Sequence, residues 1–171
     1  MEAEYINKLI GEEFLTWLWF KSEMNNGLFT LEGKTFALYF SGRIVVEGGE
    51  GESLEKTICS GEMSDLAEAK QGLKLGKKVT QARLKVEQDN LSWQLNVKAE
   101  DFSFSSFKTP KVDLKLEKGE TNEGLFLEKM YLLEKCLSFF FCLFKEFISI
   151  RFNASWDQEQ SQIVTWLNKT D

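Results

Sequence analysis

From Val79 to Val97 the chain alternates. Val79, Ala82, Leu84 and Val86 lead into a polar turn at Gln88-Asp89-Asn90, and Leu91, Trp93, Leu95 and Val97 return in strict alternation. Successive side chains of a strand point to opposite faces, so this pattern demands an antiparallel hairpin with one dry and one wet face. Upstream, "KTFALYFSGRIVVEGG" reads as two short β-rich runs around Ser41-Gly42, and "ESLEKTICSG" as a third candidate strand.

The flanking segments have a helical period. Ile6, Leu9, Ile10, Phe14, Trp17 and Leu18 recur at three- and four-residue steps from Tyr5 to about Glu23, and Asn25-Asn26-Gly27 ends that helix. "MSDLAEAKQGLKLG" predicts a short helix with Ser64 as N-cap and Gly76 near its end. A long helix from Gly124 to about Phe152 is apolar over most of its circumference between Cys136 and Phe144, which places it in a core or against a partner subunit. A last helix starts at Ser155 and carries Trp156, Ile163, Trp166 and Leu167. Together these predict an α+β fold over residues 1–171 as one domain. An antiparallel sheet of about five strands is packed by an N-terminal helix, a short middle helix and a long apolar C-terminal helix.

Histidine is absent from all 171 residues, which excludes Ser-His-Asp and Cys-His nucleophilic sites and imidazole metal ligands. Cys59, Cys136 and Cys142 form no CxxC, so no zinc or redox site is expected, and buried reduced thiols are. No catalytic residue, metal or cofactor is assigned. Gly33-Lys34-Thr35 and Gly76-Lys77 imitate a phosphate loop but have the wrong spacing and run into strands. The acidic, polar N-terminus is no secretory signal, and "CLSFFFCLF" is too short to span a bilayer. A cytoplasmic protein without a membrane partner is expected.

The net charge of −6 argues against an overall basic surface, but the charge is segregated. Glu47, Glu50, Glu52, Glu55, Glu62 and Asp65 precede a run of cations: Lys70, Lys74, Lys77, Lys78, Arg83 and Lys85. Such cations suit phosphates without reading bases. In "EEFLTWLWFKSE" a helical wheel sets Trp17 on the core face, and Leu15 and Trp19 on the opposite side with Lys8, Glu12 and Glu23. Leu15 and Trp19 are therefore expected at an interface with a protein partner, most simply a second copy in a twofold dimer.

The order of these features resembles the C-terminal half of the recombination-associated protein RdgC family. "EFLTWLWFKSE" (with Leu15-Thr16-Trp17) is followed by a strand pair. "ICSGEMSDLAEAKQGLKLGKKVTQARLKV" (with Gly76-Lys77-Lys78-Val79-Thr80) and "LSWQLNVKAEDF" come next. The resemblance covers most of the chain from about Glu13. It implies a non-catalytic, nucleoid-associated protein that binds DNA without sequence preference and restrains recombination. The family forms ring-shaped dimers, but its N-terminal region has no counterpart here, and "ICSGEMSDL" lacks the basic residues of the corresponding family segment. The alternatives are a protein–protein module that has lost DNA binding and, more distantly, a carboxylate-metal nuclease.

Overall fold

The computed structural model of the chain describes residues 2–48, 55–61, 66–112 and 122–169. Helix α1 (Glu2–Met24) leads to β1 (Leu28–Leu31), β2 (Lys34–Gly48) and β3 (Glu55–Cys59), then to α2 (Ala67–Lys74). Strands β4 (Lys78–Gln88), β5 (Leu91–Lys98) and β6 (Phe104–Lys108) follow, and helices α3 (Glu123–Arg151) and α4 (Trp156–Asn168) complete the order. The strands form one antiparallel sheet in the order β1-β2-β4-β5-β6, with β3 on the same edge of β2 as β1. The α+β expectation holds, with six strands among the described residues rather than about five.

The central strands form where alternation gives one apolar side. Leu84 and Val86 of β4 meet Leu95 and Trp93 of β5 across the ladder, and all four are buried. The two runs expected around Ser41-Gly42 are instead a single long strand. Its pairing with β4 slips between Phe40 and Ile44, so the extra residues make a bulge, not a turn. The turn at Glu32-Gly33 has positive φ at both residues (50° and 75°), as a two-residue hairpin requires. Gly33 is thus turn chemistry, and β1 is a strand that the periodicity did not reveal. The proposed N-cap Ser64 lies outside the described residues, as do Glu50, Glu52, Glu62 and Asp65.

Helix α1 explains its own sequence. Its sheet side packs on β4 and β2, and a Cβ on Gly11 would sit 2.0 Å from the carbonyl oxygen of Ala99, just past β5, so only glycine allows this approach. Further along, the Ser22 hydroxyl donates to the Leu38 carbonyl at 2.7 Å. On its other side Phe14 and Trp17 meet Phe147 of α3 at centroid distances of 5.5 and 5.6 Å. A helix covered on both sides needs two apolar stripes. Leu15 and Trp19, expected at an intermolecular interface, are each only 1% exposed. Trp19 stacks on Phe40 of β2 (5.8 Å) and meets Trp166 of α4 edge-on (5.4 Å). The covering element is this chain's own sheet and last helix, and the interface assignment for these two residues is withdrawn.

Helix α3 lays Leu132, Cys136, Phe139, Phe140, Leu143 and Phe147 into the core. Phe139 stacks on Phe36 at 4.4 Å, and the Trp93 indole donates to the Leu132 carbonyl at 2.9 Å. All three cysteines are free, and burial pushes the Cys136 thiol up to about 12. No helix among the described residues is long and apolar enough to cross a membrane.

Candidate nucleic-acid interface

The six expected cations do not form one row. Lys70 lies on the helical side of the sheet, where its ammonium meets Glu23 of α1 at 2.7 Å and the Trp166 ring at 5.3 Å. Lys77 is not free to meet a phosphate. Its side chain is only 14% exposed, paired with Glu55 (3.0 Å) and donating to Thr57 (3.1 Å). The reason is local: Gly48 and Gly72 leave a channel for its aliphatic stem, which a Cβ at Gly48 would approach to 2.8 Å. Lys78 is exposed, opposite Glu47 on β2, and edges a cleft of about 240 Å³ walled by Thr16, Trp156, Ile163 and Leu167. Lys74 is exposed on α2.

Arg83 and Lys85 fall elsewhere. Ala82, Leu84 and Val86 point into the core beneath α1, so the residues between them face the opposite side of the sheet. Arg83 and Lys85 therefore share the polar side of β4, and the sheet separates them from Lys70.

The ladder register shows what stands beside them. One lateral row runs Tyr39, Lys85, Gln94 and Lys108 across β2, β4, β5 and β6. The next runs Arg83, Asn96 and Ser105, and a third joins Gln81 to Lys98. Adjacent strands are about 4.8 Å apart, so these side chains form a continuous polar platform. The Arg83 Nε donates to Asn96 Oδ1 at 3.0 Å, holding the guanidinium along the sheet. Gly42 contributes no side chain beside it.

Carboxylates temper this face. Lys85 pairs with Glu87 at 2.6 Å and Lys98 with Glu100 at 2.9 Å. The hydrogen bond from Lys98 to Glu100 raises the Lys98 pKa, so its ammonium stays charged. Arg83, Lys85, Lys98 and Lys108 thus stand against Glu87 and Glu100, and Asp101 and Glu47 also act on Lys98. Lys98, Lys108, Asn96 and Gln94 were not singled out in the sequence. The Asp89-Asn90 turn carries the signal for three of them, because it pairs residue 85 with 94, 83 with 96 and 81 with 98.

No group of three or more Cys, Asp or Glu side chains among the described residues is placed to hold a metal ion. The fold and this face define an α+β domain with a one-sided antiparallel sheet whose open side is polar and cationic. No protein-family model, curated protein or solved structure matches the chain.

Proposed function

We propose that this chain is a non-catalytic, RdgC-like protein that binds DNA through its phosphate backbone, without reading base sequence. The supporting observation is the open sheet face, where Arg83 and Lys85 stand in register with Asn96, Gln94 and Lys108. Lysine and arginine on a flat polar surface meet phosphates, and the adjoining amides can bond sugars or base edges without a fixed pattern. Relative to the sequence expectation, the surface moves away from Lys70 and Lys77, whose charges are used inside the fold.

Binding to unrelated duplexes of equal length should be equal, and should weaken with salt by about 0.9 log units per phosphate contact per log unit of salt. With few cations and a net charge of −6, binding is expected only at low ionic strength. In fluorescence anisotropy, Arg83→Glu with Lys85→Glu should reduce affinity about tenfold or more, and Lys77→Glu should change it little once folding is controlled by circular dichroism. A wild type that binds no duplex at about 20 mM salt overturns the reading. A second reading, a protein–protein module without a DNA role, is supported by exposed apolar residues along α3, notably Phe126, Met130 and Phe141.

A further inference from the structure

The first turns of α3 reach beyond the body of the protein. No residue from 122 to 131 is buried, and Leu132 is the first to enter the core. Yet this stretch is not polar. Phe126, Leu127, Met130 and Tyr131, and Phe141 further along, are each between 47% and 66% exposed. An isolated helix of so few turns is marginal in water, and a patch of this size normally marks a contact.

The arrangement of that patch identifies the occupant. Phe126, Met130, Leu133, Leu137 and Phe141 follow one another at steps of four, three, four and four, a stripe along one side of the helix. Between Met130 and Phe141 the stripe borders a shallow groove of about 400 Å³, with Glu134 and Ser138 on its rim. The stripe has nearly the same spacing in both directions. A twofold axis between residues 133 and 134 sets Phe126 against Phe141 of a second copy, Met130 against Leu137, and the two Leu133 side chains beside the axis. The same operation brings Glu123 of one copy to Lys145 of the other. Lys145 already lies along Phe141, 5.5 Å from its ring centroid.

We infer that α3 pairs with α3 of a second copy, antiparallel, through this stripe. The exposed side chains of the stripe, chiefly Phe126, Met130 and Phe141, would bury about 800 Å² over both copies, the size of a weak, reversible interface. The interface is a different surface from the open sheet face, so it stands or falls independently of DNA binding. It also uses neither Leu15 nor Trp19.

Light scattering after size exclusion should give a dimer for the wild type at 100 µM, and Met130→Glu should give a monomer with unchanged circular dichroism and thermal midpoint. Cross-linking tests the direction. In a Cys142→Ser background, Phe126→Cys and Phe141→Cys are made as separate proteins. In an antiparallel pair, like positions lie about 22 Å apart along the axis and unlike positions face each other. Mixing the two proteins under mild oxidation should therefore yield the disulfide-linked dimer, and either protein alone should not. A monomeric wild type at 100 µM overturns the proposal. So does cross-linking of Phe126→Cys with itself as fast as in the mixture.

Discussion

The Trp19 indole is held from three directions. Phe40 lies against it from the sheet, Trp166 meets it edge-on, and its Nε1 donates to Glu23 Oε1 at 2.9 Å. The wheel that set Trp19 opposite Trp17 was right about the two stripes but could not say what covers each. Glu12, on the same side of α1, is 8% exposed and was legible only as one charge among several. Burial raises its pKa; Glu47 and Glu13 add to the rise, and Lys8 and Lys78 oppose it. A raised folded-state pKa means that the folded protein holds this proton more tightly than the unfolded chain does. The contribution of Glu12 to stability is therefore full below about pH 4.5 and is lost as the pH rises through the folded value. Glu12→Gln should then be more stable than wild type at pH 7, with the gap closing by about pH 4. Urea midpoints that differ equally at both pH values would contradict this.

Among elements, the long periodic ones were legible: α1, α3, α4 and the β4–β5 hairpin lie within a few residues of where their spacing put them. Of the short strands only β3 was, within "ESLEKTICSG". Strand β1 has four residues and β6 reads "FSSFK", too little sequence for a period to declare itself. How the helices are joined was also invisible. Glu23 Oε2 accepts from the Trp166 indole and from Lys70, each at 2.7 Å, while Oε1 takes Trp19. One carboxylate therefore ties α1 to α2 and α4. Replacing it by alanine leaves two indole donors and an ammonium without their acceptor, in a partly buried setting. A loss of about 1–3 kcal/mol is expected for Glu23→Ala, and less for Glu23→Gln, which keeps one carbonyl acceptor. Equal urea stability of Glu23→Ala and wild type would remove the hub from the account.

For the whole molecule, the five tryptophans occupy α1, β5 and α4, and all are buried in one continuous hydrophobic cluster. Helix α1 touches the sheet, α3 and α4, so no layer can separate without opening that cluster. Unfolding in dilute solution should accordingly be cooperative: tryptophan emission and far-ultraviolet circular dichroism should give the same urea midpoint. Two separated transitions would show that α4 or the α3 arm leaves first. The surface divides by the same geometry. Arg83 and Lys85 look out from the open sheet, while Lys70 and Lys77 are held by Glu23 and Glu55.

By itself the sequence determined what is local. A period of two made the hairpin, a period of three to four made the helices, and the missing histidines closed off imidazole chemistry. Turn residues such as Asp89-Asn90 even carried the register that aligns Arg83 with Asn96. Tertiary structure alone decided which of two apolar stripes on α1 met the sheet, and which lysines found carboxylates from distant segments. Those outcomes depend on contacts such as Glu23 with Trp166, 143 residues apart. Periodicity says that a side is apolar or charged. Only the packing of whole elements says whether the neighbour is the same chain or the solvent.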